Sequence, residues 1–365
     1  MTFPATASRE GPRALASGGA VLLAVLALPL IEARGDSVAD FYRGRQINLI
    51  VGYGPGGGYD VYAREFARHL GKYVPGNPGI VVQNMPGAGS LRATNYLFNV
   101  APKDGTTIGT FSHDLVLVGL LGRNPNIQFD IRKFTWLGSA SSSANDAYVL
   151  IARADAPVKT VEDARRPGGP PLVMSATAEG GGTSDFALLL REALGFNVKL
   201  IAGYSDSNSM FLAVERKEID ARFASISTLQ ATRPEWLQPE AAMRVLVQFA
   251  RVTRLPSLPD VPTAHELARD SKSLELIELA ELPRALARPF VAPPGLPADR
   301  ALALHAAFLA VLRDPQYLQE AARLKIDISP VIGNQALQSI DKIAGGPPEA
   351  LDYMRNLLAN NKAGD

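Results

Sequence analysis

The chain has 365 residues, 47% of them hydrophobic and 20% charged, with a formal net charge of +1. That is enough apolar material for two cores, and no lysine–arginine block reaches five residues, so the basic stripe that nucleic-acid binding requires is missing. The absence of cysteine removes disulfides, thiolate nucleophiles, cysteine-based zinc sites and a lipoprotein anchor.

Arg9 and Arg13 precede an uncharged stretch, 14–31, whose centre at 20–30 reads AVLLAVLALPL. A basic start, an apolar centre and a small residue near Ala33 predict a secretory signal peptide over 1–36, cut between Ala33 and Ser37. The competing reading, an uncleaved anchor, is weakened by Gly18, Gly19 and Pro29. A cysteine-free exported chain suits the bacterial periplasm.

Strand-like and helix-like segments then alternate. The runs 47–51, 80–83 and 107–111 predict strands, with helices at 61–70 and 91–98 between them. Ser90 is expected to cap the second helix. This βαβαβ order implies a parallel sheet flanked by helices. Segment 136–151 is expected to leave that sheet for a second domain with strands at 172–175, 198–202, 219–223 and 245–249. Residues 289–293 are expected to return the chain, followed by helices from 298, a short strand at 326–329 and two terminal helices packed on the first domain. The predicted division is 37–147 and 287–365 for lobe one and 148–286 for lobe two.

Two loops stand out. Gly54-Pro55-Gly56-Gly57-Gly58 lies between a strand and a helix, where glycine lets the backbone approach a ligand and the helix start favours an anion. The competing reading is a tight turn. Gly52-x-Gly54-x-x-Gly57 also spells a dinucleotide fingerprint, but its second strand ends in Gln83-Asn84 where an acid should hold the ribose. Gly180-Gly181-Gly182-Thr183-Ser184-Asp185 repeats the arrangement, with two hydroxyls that suit either a helix cap or a carboxylate. Asn84, Ser112 and His113, with Tyr204, Ser205 and Ser225, stand at the carboxyl ends of predicted strands, where open α/β sheets bind ligands. Asp60 and Asp185 read as helix caps or as partners for a ligand amine. The four histidines are scattered and no metal-binding or catalytic spacing appears, so no cofactor, metal or enzyme activity is assigned.

At these loops the sequence resembles the substrate-binding receptors of tripartite tricarboxylate transporters, the Bug family. The resemblance rests on VGYGPGGGYDVYAR (51–64), VVQNMPGAGSLRATNYL (81–97), APKDGTTIGTFS (101–112), FDIRKFTWLGS (129–139), LPDVPTAHELA (258–268) and RPFVAPPGLPADR (288–300). It implies an α/β, two-lobed type II periplasmic-binding fold, a Venus flytrap hinged on crossover strands. It further implies a monomeric receptor that closes over a small carboxylate and docks on membrane permease subunits. Carried over, the binding positions are Gly54, Pro55, Gly56, Gly57, Gly58, Tyr59, Asn84 and Ser112 in lobe one, and Ser175, Thr183, Ser184 and Asp185 in lobe two. The chain departs from the pattern at Gly54-Pro55, at Tyr59 where a small hydroxyl residue is usual, at 176–180 with Glu179, and at Phe223-Ala224-Ser225. A sensory binding protein and, from the glycine fingerprint, a nucleotide-dependent oxidoreductase are the competing classes.

Overall fold

Among the described residues, eleven strands form two sheets. Their bounds are β1 Gln46–Val51, β2 Gly79–Asn84, β3 Thr107–Thr110, β4 Thr135–Ser139, β5 Tyr148–Arg153, β6 Leu172–Ser175, β7 Val198–Ile201, β8 Ala221–Ser225, β9 Met243–Phe249, β10 Pro289–Ala292 and β11 Val331–Ile332. This computed structural model describes residues 37–122, 125–177 and 182–360, excepting the side chains of 182, 185 and 358–360. The predicted signal segment and Glu179, Gly180 and Gly181 of the second glycine loop therefore lie outside the described residues.

The first sheet runs β11-β4-β10-β3-β1-β2 and the second β7-β6-β8-β5-β9. The expected parallel pairings are present: β1 lies parallel to β2 and β3, and β6 parallel to β7 and β8. The sheets are mixed, however, rather than parallel throughout. In the first, β10 runs antiparallel to β3 and β4, and β11 antiparallel to β4; in the second, β5 runs antiparallel to β8 and β9. The cause is the chain path. Segment 136–151 contributes the end of β4 to one sheet and the start of β5 to the other, so strands that cross between sheets arrive reversed.

The two crossovers lie side by side and are bonded to each other. Ala140 N–H donates to Arg288 O at 2.9 Å, Ser143 N–H to Arg284 O at 2.9 Å, and Arg288 N–H to Ser139 Oγ at 2.9 Å. Both sheets carry apolar strands, such as INLIV in β1 and VLIA within β5, buried under helices on their faces.

Three local expectations change. Residues 326–329 are loop, because Pro330 follows and Asp327 is used as an acceptor: its carbonyl takes the Tyr62 hydroxyl at 2.8 Å and its carboxylate takes Ser141 Oγ at 2.8 Å. Ser90 does not cap its helix. It sits at φ 82° and turns its hydroxyl to accept the Ser112 amide at 3.2 Å. The last helix, Pro348–Asn360, reaches beyond the first lobe: Tyr353 donates to Glu192 at 3.3 Å, and Arg355 Nε to Leu121 O at 3.0 Å. One apolar cluster accordingly runs from Phe111 and Trp136 through Leu276, Leu279 and Ile340 to Phe186 and Phe223. Among the described residues, no helix is long and apolar enough to cross a membrane.

Candidate functional site

The carboxyl ends of β1 and β3 face those of β6 and β8 across a narrow crevice. Tyr53, Gly58, Tyr59, Ser112, His113 and Asp114 line it from one side. Tyr148, Thr177, Thr183, Phe186, Ser207, Met210, Arg222, Phe223, Ala224, Ser225 and Thr228 line it from the other, with Arg284 and Arg288 from the return crossover. The free volume is about 50 Å³, well below the roughly 300–1,000 Å³ of a small-molecule pocket. As it stands, the crevice is too small for a molecule of typical ligand size.

Of the positions expected from sequence, Gly58, Tyr59, Ser112, His113, Thr183 and Ser225 reach this crevice. Gly54, Gly57 and Gly58 also admit the approach of lobe two. A Cβ at Gly54 would lie 2.2 Å from Asp206 Oδ2, one at Gly57 3.4 Å from Ser207 Cβ, and one at Gly58 2.4 Å from Thr228 Oγ1. Pro55 and Gly56 are exposed, and the Gly56 N–H, expected to meet an anion, donates instead to Asp60 Oδ2 at 2.9 Å. Asp60 is thus a loop brace rather than a helix cap. Asn84 supports it, donating to Asp60 at 2.8 Å and to Tyr53 O at 2.9 Å, and accepting from Arg64 at 2.8 Å. Burial opposes ionisation of Asp60, but Arg64, the Gly56 amide and Asn84 hold its carboxyl below the usual range. Ser175 and Ser184 are buried off the crevice, Tyr204 is half-buried in the lobe-two core, and the Asp185 side chain lies outside the described residues.

His113 is held tightly. Tyr59 Oη accepts its backbone N–H at 3.0 Å and lies 2.8 Å from Nδ1. Nδ1 also lies 3.3 Å from Ala287 O, while Nε2 is buried without a hydrogen-bond partner. Burial, with Arg284 and Arg288 nearby, lowers the imidazole to about 4, so it is neutral. Tyr53 stacks on Tyr59 at 4.9 Å between ring centres.

The decisive side chains are three buried arginines, which the sequence reading did not single out. Arg222, Arg284 and Arg288 are each at most 2% exposed. Arg284 pairs with Asp114 at 3.2 Å. Arg288 donates to Ser225 Oγ at 3.1 Å, Thr228 Oγ1 at 3.0 Å and Ala287 O at 2.8 Å, and Arg222 to Phe223 O, Ser207 O and Ser207 Oγ. None of the bonds that Arg222 and Arg288 make is to a carboxylate, and burial lowers Arg222 to about 9. Arg284 Nε, Arg288 Nε and His113 Nε2 are buried without hydrogen-bond partners. Burial opposes the charge of Arg288 too, but the surrounding tyrosines and Asp146 outweigh it and hold Arg288 above its ordinary value, so Arg222 is the least compensated cation of a crevice with arginine donors to spare. A signal was present in the sequence: Arg222 and Arg288 are single charges inside or beside apolar strand runs, ARFAS and RPFVA.

A sequence profile of the tripartite tricarboxylate transporter family receptor matches residues 62–344. The chain belongs to this receptor family. The receptor is 26% identical over 290 residues to a UPF0065 protein of Bordetella pertussis, covering 76% of this chain and 79% of that one. It is 25% identical over 330 residues to a UPF0065 protein of Cupriavidus necator, covering 86% and 88%. Among solved structures it is similar to the periplasmic binding protein BugD, at TM-score 0.66 and 20% identity over 87% of this chain and 98% of that one. It is also similar to MatC of Rhodopseudomonas palustris with bound malate, at 0.63 and 19% over 86% and 99%, and to an R. palustris protein with adipate, at 0.66 and 18% over 86% and 98%. The receptor thus has the two-lobed α/β fold of periplasmic binding proteins.

Proposed function

We propose that the receptor binds a small organic anion, a di- or tricarboxylate or a related acid, between its lobes and delivers it to the membrane permease subunits of a tripartite transporter. The observation that carries this reading is the pair of buried arginines, Arg222 and Arg288, bonded only to neutral acceptors in the same crevice as two unpartnered arginine N–H donors, Arg284 Nε and Arg288 Nε. A carboxylate supplies what is missing: charge for the guanidinium groups and acceptors for Arg284 Nε and Arg288 Nε. Ser112, Thr183, Ser225 and Thr228 add hydroxyls, and Tyr53, Tyr59, Tyr148 and Phe186 wall the apolar part of the ligand.

Closure follows from position. Arg222 belongs to lobe two, Tyr59 and His113 to lobe one, and Arg288 to the crossover between them. An anion that touches all three favours the closed state by its differential affinity for closed over open. The lobes are taken to divide as 37–147 with 287–365, and 148–286, with the crossovers as hinge. Export to the periplasm by the N-terminal segment and a binding rather than catalytic role complete the reading, supported by the family and by its solved binding proteins.

A thermal-shift screen of di- and tricarboxylates, aromatic acids and amino acids on the purified mature chain tests it. A ligand at a hundred times its Kd stabilises by about 2.7 kcal/mol, and the expected outcome is a saturable rise in Tm with at least one acid. A flat response across all small acids overturns the proposal.

A further inference from the structure

A second cluster of ionisable side chains lies away from the crevice, on the far end of the helix Gly58–Leu70. Glu65 and His69 stand one turn apart on that helix and face Glu320 of the helix Pro315–Arg323. Glu65, His69 and Glu320 each present one ligand-type atom, all within 4.8 Å of one another. His69 Nε2 is 3.0 Å from Glu320 Oε2 and 3.9 Å from Glu65 Oε1. A tetrahedral ion with bonds of about 2.1 Å spaces its ligand atoms roughly 3.4 Å apart, between those two distances.

Two further observations point to a ligand there. Glu65 is 3% exposed, and its Oε1, directed at His69, has no hydrogen-bond partner. The second ring nitrogen of His69, Nδ1, is 3.1 Å from Asp314 Oδ2, the carboxylate–histidine arrangement that orients a metal-bound imidazole, and 3.3 Å from Lys72 Nζ. With the proton of the ring on Nδ1, Nε2 and the two carboxylates meet as three acceptors that a cation can share.

We propose that Glu65, His69 and Glu320 bind a divalent transition-metal cation of the Zn²⁺ type, which ties the Pro315–Arg323 helix to the helix whose first residues line the crevice. Arg68 contacts Glu65 Oε2 at 3.2 Å and also Glu320, while Lys72 pairs with Asp314 and lies 3.3 Å from His69 Nδ1. Their side chains are 61% and 44% exposed, against 4% for His69. These two cations swing into solvent when a metal enters, whereas the buried ligands stay in place.

The test uses the full mature chain stripped with a chelator. Isothermal titration with Zn²⁺, and with Co²⁺ as a spectroscopic probe, is expected to give one saturable site, a rise in Tm and a visible Co²⁺ band. His69→Ala is expected to weaken binding at least a hundredfold, and Glu320→Gln, at a more exposed position, at least tenfold. If His69→Ala fails to fold, Glu320→Gln alone decides. Either no thermal or calorimetric response to Zn²⁺ and Co²⁺, or a response that Glu320→Gln leaves unchanged, overturns the site. None of these readouts depends on the organic anion.

Discussion

Arg222 is the second residue of a strand whose residues are all buried, and its guanidinium lies 3.8 Å from the centre of the Phe211 ring. Cation–π contact and three neutral acceptors soften its burial without cancelling the charge. Arg222→Met should therefore leave the Tm of the ligand-free receptor unchanged or raise it, while weakening the anion by about 2 kcal/mol or more, roughly 30-fold. Calorimetry with the best acid from the screen, beside a melting curve without it, separates this from a purely structural role, which would lower Tm. His113 gives a second residue-scale expectation. Its folded value of about 4 lies below the ordinary 6.5, because burial disfavours the imidazolium. The unfolded chain thus binds the proton more readily, and the contribution of His113 to stability is complete above pH 6.5 and lost as pH falls toward 4. Chemical denaturation across that window should show a decline on the order of a few kcal/mol, and His113→Asn should flatten it.

At the scale of elements, the strand–glycine–helix unit β1 to Gly58–Leu70 is shaped as much by its neighbour as by any ligand. Its glycines admit Asp206 and Ser207 at the start of the Ser207–Glu215 helix, and Thr228 from the Ile226–Thr232 helix. Gly58→Ala places a methyl 2.4 Å from Thr228 Oγ1 and 3.2 Å from Arg288 Nη2. The closed state should then be lost and affinity should drop about tenfold or more, near 1.4 kcal/mol, with the far-ultraviolet circular dichroism unchanged. Small-angle scattering with saturating acid checks the geometry: the variant should stay at the larger radius of the open form. The unit itself was legible in the sequence, because an apolar run, a glycine cluster and apolar residues at helical spacing are local signals. Its bracing was not. Asp60 as acceptor for Gly56, and Asn84 as partner of Asp60 and Tyr53, depend on β2 lying beside β1.

The whole molecule adds a constraint that neither lobe shows alone. The Pro348–Asn360 helix bonds to Glu192 on one side and to Leu121 on the other, and its Met354 belongs to the apolar cluster that spans both sheets. Under the proposed hinge motion this packing has to slide or bend, and the helix is expected to limit the opening angle as a tether. Deleting residues from 348 onward should lower Tm and enlarge the ligand-free radius of gyration. Equal radii for truncated and full-length chains would remove the tether from the account. The sequence by itself determined the alternation of strands and helices, the glycine loops and, through the order of its motifs, the receptor family, since each is written in contiguous residues. Only the tertiary structure decided which groups meet. Arg288 bonds Ser225 across 63 positions of sequence, and His69 meets Asp314 across 245. Burial, which turns an ordinary arginine or glutamate into a group in need of a partner, is a property of the assembled lobes and not of any segment.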